Sequence, residues 1–472
     1  MEYTLPLMKK VLQKYERQGR ITSDLLNPIL SQNPSLSDYF NKLRILRKEL
    51  ISLRQKGDKY GIADKKEEIN ELKLQYNTFM EEYLKEVLDR LHDNDYILNL
   101  KTFELDGKDF CQVEPTLENL LLMSMLNRNL RSCYKVQPAN RIAILNVLKD
   151  LLEEKHDLIL LRLDIKSFFE SIPFDKLLDK LEYDGILCPE SYTLLKQIKS
   201  FCGKGKTNIG LPRGVPCSSF LSEIYMRDID SRIKNIPGVY FYQRYVDDIV
   251  VFIYPKSDMA APNDYYDYIY KIVHAKGLVL HPTSEQNKTK LIDSRQRCNI
   301  SFSYLGYHIL KRNGKTTFLL SDDKYKHLEE WIHQAFRTFK YDLSNEKRQG
   351  CSLTRLLHQL RMMTSNYHLV GNKHHIMFGI FYKYPLLTSI SQLQDLDEVL
   401  AEEIGKLTVN DIPLKMGDFG NRKFSPHETL DYITKRCSKY SFVQGYQEVK
   451  KSNIWMPNFK NTANLSHEEI QD

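Results

Sequence analysis

Val239-Tyr240-Phe241-Tyr242, Tyr245-Val246-Asp247-Asp248 and Ile249-Val250-Val251-Phe252-Ile253 form the stretch that decides the fold. The flanking runs are rich in β-branched and aromatic side chains, so the acidic tetrapeptide between them predicts the tip of a β-hairpin. Two adjacent carboxylates at such a tip repel each other, and the pair is normally tolerated where a cation neutralises it. The tetrapeptide alone leaves two readings open: Asp-Asp as ordinary turn chemistry, or part of a Mg²⁺ site.

A second run bears on that choice. Leu158-Ile159-Leu160-Leu161-Arg162-Leu163-Asp164 is short, apolar and ends in an acid, which predicts a buried strand delivering a carboxylate at its end. Mg²⁺ that activates a 3′-hydroxyl and clamps a triphosphate needs oxygen ligands from separate strand ends, because its octahedral shell is shared with substrate phosphates. Asp164 supplies the third carboxylate. Two Mg²⁺ ions held by Asp164, Asp247 and Asp248 would stabilise both the attacking and leaving oxygens of an in-line phosphoryl transfer, with Asp164 and Asp247 the principal ligands.

Outward from this centre the chain changes character twice. Residues 38 to 92 are dense in Lys, Glu, Leu and Arg with no proline, predicting a helical hairpin broken near Gly57 and Gly61. The expected role is a solvated helix pair packed on a core, with a partner-binding coiled coil as the alternative. Helices are predicted over 117 to 130 and 141 to 154, then strands mixed with helices to about residue 320. Beyond it, 322 to 340, 352 to 369, 390 to 407 and 426 to 440 carry helical periodicity, without self-similarity strong enough to define repeats. The tail after Tyr446 reads as a surface arm. The expectation is an α+β protein in three parts: a helical region over 1–100, a mixed part with a mainly antiparallel sheet over 101–320, and an all-helical domain over 321–472.

The 472 residues are 42% hydrophobic, enough for real cores, and no stretch is long and apolar enough for a membrane span. The N-terminus lacks signal-peptide order, so a cytoplasmic location is expected. Eight cysteines, at 111, 133, 188, 202, 217, 298, 351 and 437, form no Cys-x-x-Cys pair and read as reduced thiols. Sixty-eight Lys and Arg against 61 Asp and Glu leave a net charge of +7, a mild bias towards a polyanionic partner. Twenty-nine tyrosines and 21 phenylalanines supply surfaces for base stacking or for ordinary packing.

The residues also carry a family resemblance. Leu163-Asp164-Ile165-Lys166-Ser167-Phe168-Phe169-Glu170-Ser171-Ile172-Pro173 resembles the first palm motif of reverse transcriptases, and Tyr245-Val246-Asp247-Asp248 their third. Gly210-Leu211-Pro212-Arg213-Gly214-Val215-Pro216-Cys217-Ser218-Ser219 resembles the second. Gly277-Leu278-Val279-Leu280 with Lys288-Thr289 resembles the fourth, and Tyr304-Leu305-Gly306-Tyr307 the primer-grip hairpin. The resemblance implies a right-hand polymerase with fingers and palm, a metal set of Asp164, Ile165, Asp247 and Asp248, and a primer grip at Leu305, Gly306 and Tyr307. It implies that Phe169 blocks a 2′-hydroxyl, so that deoxynucleotides are the substrate. Arg213 and Gly214 join the nucleotide-binding set, in a loop whose glycines let backbone approach the nascent base pair. Lys288 would sit near the leaving pyrophosphate, unless it is a surface lysine of an unusually long loop. Lys135 and Arg141 are candidate triphosphate clamps from the fingers, with Arg131 in competition.

Departures from the common pattern narrow the resemblance. Arg213 stands where most reverse transcriptases carry glutamine, and Ser219 where proline follows the serine; with the helical extension, this looks most like prokaryotic abortive-infection and other defence-associated enzymes. Retrons and group II intron enzymes are the next nearest. Implied partners are dNTPs, an RNA template such as a dedicated non-coding RNA, a DNA product, and a further copy or a second defence protein; no membrane is implied. Untemplated or protein-primed synthesis, with Tyr440 or Tyr446 as primer, and a non-catalytic RNA-binding scaffold are the alternatives. Three near-motifs are set aside: Gly203-Lys204-Gly205-Lys206-Thr207 lacks the first glycine of a phosphate loop, Asp418-Phe419-Gly420 lacks its kinase companions, and His374-His375 lacks companion ligands.

Overall fold

A strand buried on both faces organises the molecule. In the computed structural model, which describes residues 2–105, 107–154, 156–203, 209–254, 261–295, 299–345, 347–368, 377–413, 418–419, 422–423 and 425–451, every residue of the run Ile159–Asp164 is buried. The elements before it are α1 (Leu5–Gln18), α2 (Ser23–Leu30), α3 (Tyr39–Lys56), α4 (Lys59–His92), the hairpin β1 (Leu100–Leu105) and β2 (Lys108–Val113), α5 (Leu117–Tyr134) and α6 (Arg141–Glu153). The buried strand is β3. After it come α7 (Phe168–Ser171), α8 (Phe174–Asp184), α9 (Pro189–Cys202), α10 (Ser218–Lys234), β4 (Val239–Tyr245), β5 (Asp248–Ile253), α11 (Pro262–His274) and β6 (Lys290–Asp293). A three-stranded meander follows, β7 (Ile300–Tyr304), β8 (Tyr307–Arg312) and β9 (Lys315–Leu320).

The central sheet has the order β4-β5-β3-β6 and all its pairings are antiparallel. The period of two sends Ile159, Leu161 and Leu163 into one core and Leu158 and Leu160 into another. The first core also takes Met8 and Leu12 of α1, Leu84 and Leu88 of α4, and residues of α5 and α8 to α11. The second takes Leu145 and Leu148 of α6, the meander, and the C-terminal helices. Packing is therefore continuous across residues 100 and 320.

The predicted N-terminal hairpin is present and breaks only once. Gly57 closes α3 in the left-handed region (φ 73), whereas Gly61 lies inside the first turn of α4, its N–H donating to the Asp58 side chain. Burial on α4 is concentrated towards its C-terminal half, at Tyr76, Met80, Leu84, Val87, Leu88 and Leu91, so its outer end is the solvated pair expected.

The C-terminal part contains α12 (Asp322–Ser344), α13 (Gln349–Thr364), β10 (Asn366–His368), β11 (Met377–Gly379), α14 (Ile380–Lys383), α15 (Ser391–Gly405), β12 (Asp418–Phe419), β13 (Arg422–Lys423), α16 (Pro426–Cys437) and α17 (Phe442–Lys451). Its four expected helices are found, and two short strand pairs, β10–β11 and β12–β13, are added to them. The helix expected over 352 to 369 stops at Thr364 because Asn366 turns outwards: its side chain donates to Gly445 O (2.6 Å) and accepts from Phe381 N (3.0 Å). Sequence periodicity cannot report such bonds, whose partners lie far away in the chain. The surface arm expected after Tyr446 begins instead as the last turn of α17; residues 452–472, His374-His375, Gly420 and the Lys204–Thr207 turn lie outside the described residues.

Gly445 is where α17 meets α13, and a Cβ there would stand 1.7 Å from Thr364 O. Gly445→Ala is expected to destabilise the protein by about 1–3 kcal/mol through overpacking. Gly350→Ala, in α13 where a Cβ meets nothing within 4 Å, is the control and should be neutral or stabilising by up to about 1 kcal/mol. Urea denaturation of the two variants checks the difference.

Candidate active site

The acidic tip is built by register. Asp164, at the end of β3, lies directly opposite Asp248 at the start of β5, and Tyr245 opposite Asp248 closes the turn over Val246 and Asp247. Val246 has φ 58, a left-handed conformation that a β-branched residue adopts only under constraint. Two bonds supply that constraint: Arg244 Nη1 donates to Val246 O (2.9 Å), and Ile165 N donates to Asp247 O (3.2 Å).

Arg244 is itself held from behind. The residue is 6% exposed, and its guanidinium donates to both oxygens of Glu223 (2.9 and 2.7 Å) and both of Asp230 (3.0 and 3.0 Å). Glu223 and Asp230 are seven residues apart on α10, two helical turns, so one face of the helix presents both carboxylates to one arginine. The Tyr242 hydroxyl donates to Asp230 as well (2.6 Å).

In front, basic side chains gather on the carboxylates. Lys288 Nζ lies 3.1 Å from Asp164 Oδ2, and His281 Nε2 lies 3.3 Å from Asp164 Oδ1. The other ring nitrogen of His281 is 2.6 Å from Glu285 Oε2. Arg162 Nη2 lies 2.5 Å from Asp248 Oδ1 and 3.8 Å from Asp164 Oδ2. Asp247 has no ion pair among the described residues. Burial pushes the Asp248 carboxyl up to about 6, with Asp164 and Asp247 adding to the rise and Arg162 opposing it. Burial also raises Asp247; Asp164 adds to this, while Lys288 and Arg213 oppose it.

The length of the loop before Lys288 does not leave that lysine adrift. Thr289 donates its hydroxyl to His281 O (2.6 Å) and its N–H to Glu285 O (2.8 Å), folding the loop back, while Arg162 donates to Asn287 O (2.7 Å) and Lys288 O. The donor set is hard: carboxylate oxygens without thiolates suit a divalent cation of the Mg²⁺ kind. As the side chains stand, no group of three or more His, Cys, Asp or Glu among the described residues is closed around a metal position. The carboxylates lean instead on Lys288 and Arg162, which compensate their charge, with the His281 ring beside Asp164.

The other expected residues divide. Phe169, on α7, has its ring edge-on to Phe168 (5.3 Å between centroids) and beneath the Arg213 guanidinium, 5.6 Å away. Ile165 is buried, with its N–H bound to the turn at Asp247. Gly214 takes φ 88, where the Arg213 loop runs along β2. The loop backbone also lies close against α7, where a Cβ on Gly210 would stand 2.3 Å from Glu170 O. Lys135 is an exposed left-handed residue (φ 50) at the end of α5.

Three expectations are corrected. Arg141 does not reach forward as a triphosphate clamp: Nε and Nη2 donate to Leu305 O (3.0 and 2.7 Å) and Nη1 to Lys383 O (2.9 Å), while the guanidinium covers the rings of Tyr307 and Tyr384. It pins the start of α6 to the β7–β8 turn and to α14. In that turn Leu305 (φ 47) and Gly306 (φ 81) form the tip, but Tyr307 is fully buried against Phe318 and Tyr384, so its side chain is core and not primer grip. Tyr446 is also fully buried, its hydroxyl near Pro385 O and Leu387 O and its pKa raised by burial, so it offers no accessible nucleophile; Tyr440 is half-buried.

Arg162, Arg244, His281 and Glu285 had no assigned role in the motifs. Arg162 and Arg244 did leave a signal, an arginine inside an otherwise apolar or aromatic strand, which burial tolerates only with partners. Arg162 also shares strand parity with Asp164, two residues on. His281 and Glu285 left none, since only the fold of the loop brings them to Asp164.

Residues 108–309 match the family model described as reverse transcriptase (RNA-dependent DNA polymerase). The chain therefore carries a reverse transcriptase domain, the catalytic domain of RNA-directed DNA polymerases, which are nucleotidyltransferases. Such domains generally use divalent metal ions and bind an RNA template and nucleotides. Among solved structures, telomerase from Candida albicans in complex with a TWJ fragment of telomeric RNA is 12% identical over 76% of this chain, with a TM-score of 0.34. Apo telomerase from Candida tropicalis, truncated from the C-terminal domain, is 13% identical over 47% of this chain and 55% of its own, also at 0.34. This chain spans 64% of the length of the Candida albicans chain.

The brace behind the turn yields a prediction. Arg244→Ala leaves Glu223 and Asp230 without their shared cation and is expected to cost about 3–5 kcal/mol, read as a lowered urea midpoint. Arg244→Lys, which keeps the charge without the fork, should fall between that variant and wild type.

Proposed function

We propose that this chain makes DNA from dNTPs by two-metal phosphoryl transfer on an RNA template, and that it serves antiviral, anti-phage defence. The observation that carries the catalytic part is the register pairing of Asp164 with Asp248 around the Asp247 tip, which assembles three carboxylates at one sheet end. Asp164 and Asp247 would be the principal ligands of two Mg²⁺ ions, joined by Asp248 and the Ile165 backbone. When bound, the ions supply Lewis-acid stabilisation of the attacking and leaving oxygens.

The chain's own groups do the rest. Lys288, now on Asp164, is free to turn to the triphosphate once that carboxylate is otherwise neutralised, where it would balance charge on the leaving pyrophosphate. Arg162 holds Asp248 in place throughout, since its Nη1 is anchored to the loop backbone. Phe169 closes the sugar side against a 2′-hydroxyl, and Gly214 lets the Arg213 loop lie against the β1–β2 hairpin, the fingers hairpin of this reading.

The defence role is supported by the departures in the second motif, Arg213 and the Ser218-Ser219 pair, together with the C-terminal extension. A dedicated non-coding RNA as template, the cytoplasm as compartment, and a second copy or a second defence protein as partner belong to the same reading. Burial of Tyr446 weighs against protein priming from α17 and leaves Tyr440 as the residual candidate.

Asp247→Asn is expected to lower nucleotide incorporation by purified protein with Mg²⁺ by at least about 100-fold, and to abolish protection of cells against phage. Incorporation at the wild-type level would overturn the catalytic reading. Protection that survives the substitution would favour an RNA-binding scaffold.

A further inference from the structure

Arg213 is fastened at both ends. Its carbonyl accepts from Cys111 N (2.8 Å), and the residue forms a parallel bridge with Phe110 of β2, so its backbone belongs to the fingers hairpin. Its loop is tied to α7 as well, through Leu211 N to Phe169 O (2.8 Å) and the close approach of Gly210 to Glu170. The side chain then runs back across the Phe169 ring at 5.6 Å, and its Nε and Nη2 donate to Oε1 and Oε2 of Glu170, the second at 3.0 Å.

A planar guanidinium held by two carboxylate bonds is restrained from rotating away, with its face over the aromatic ring. Phe169 is thus confined by Arg213 on one side and by the edge of Phe168, itself 2% exposed, on the other. Lysine or glutamine in place of Arg213 could not both cover the ring and make the two-pronged bond.

We propose that Arg213 and Glu170 form a clamp that fixes the Phe169 ring and thereby sets discrimination between deoxyribose and ribose in the incoming nucleotide. This rests on the polymerase reading above. Both residues are positioning residues: Glu170 acts through Arg213, and Arg213 through the ring. The clamp also couples the fingers hairpin to sugar selection, because displacement of β2 would carry the Arg213 backbone with it.

The test compares single-nucleotide incorporation of a dNTP and the matching rNTP by the full chain with Mg²⁺, for wild type, Glu170→Gln, Glu170→Ala, Arg213→Lys and Arg213→Ala. Both alanine variants are expected to lower the kcat/KM ratio of dNTP to rNTP by about fivefold, with Glu170→Gln and Arg213→Lys in between. Separately, 4-fluorophenylalanine at position 169 should give one narrow ¹⁹F resonance in the wild-type background and a broadened or multiple one with Glu170→Ala, whether or not nucleotide is turned over. A fall in the ratio confined to Arg213→Ala, with Glu170→Ala at the wild-type value, overturns the clamp while leaving the polymerase reading intact. An unchanged ¹⁹F line in Glu170→Ala overturns it too. A wild-type protein that incorporates neither nucleotide overturns the polymerase reading instead.

Discussion

Three carboxylates share the end of a sheet that is buried on both faces, and their mutual repulsion is the constraint to which the surrounding structure answers. Asp164 and Asp248 are forced together by strand register, and Asp247 sits in a turn whose valine occupies a left-handed conformation. Burial raises the cost of each charge, as the upward shifts of Asp247 and Asp248 record. The arrangement persists because cations are brought to it from three directions: Arg162 from the same strand, Lys288 from a folded-back loop, and Arg244 from behind the turn. Arg244 is in turn neutralised by two acids of α10, so the charge is distributed through a chain of paired groups and not left on one buried atom.

The position of the central strand explains the remainder of the architecture. β3 has a neighbour on each side and a core on each face, and its buried acidic end meets the partly exposed Asp247-Asp248 turn. The N-terminal helices fill one core and the C-terminal helices the other, making both integral to the support of the site. Arg141 shows how close that integration is: a residue at the start of α6 fastens the β7–β8 turn and α14 with three hydrogen bonds. What looks from its position like a nucleotide-binding arginine has become a rivet between the sheet and the helical part.

Arg213 gives the opposite outcome. In the chain it is a charge where the resembling enzymes mostly have a neutral amide; in the structure it is paired with Glu170 and laid over Phe169. Burial pushes Glu170 up, but the Arg213 bond, a backbone hydrogen bond and the charges of Arg213 and Lys108 together outweigh it and hold the carboxyl below its ordinary value. The unusual residue is therefore accommodated by a partner already present in the first motif.

Legibility in the sequence followed distance along the chain. Asp247 and Asp248 are adjacent and Asp164 ends an apolar run, so local pattern and alternation sufficed to pick them out, together with the hairpin, the sheet that holds it and most helices, whereas Phe169, five residues on, was legible only through its place in the resembling motif. Register pairing of Asp164 with Asp248, the approach of His281 and Lys288, the diversion of Arg141 and Tyr307 into the core, and the burial of Tyr446 could not be read this way. Each depends on which of many available partners a side chain meets after folding, and that choice is made by packing between segments dozens to hundreds of residues apart. Sequence by itself determined the chemical groups and the elements that carry them; tertiary structure alone decided which charges face one another, because hydrogen bonds and ion pairs act over a few ångströms and take no account of chain separation.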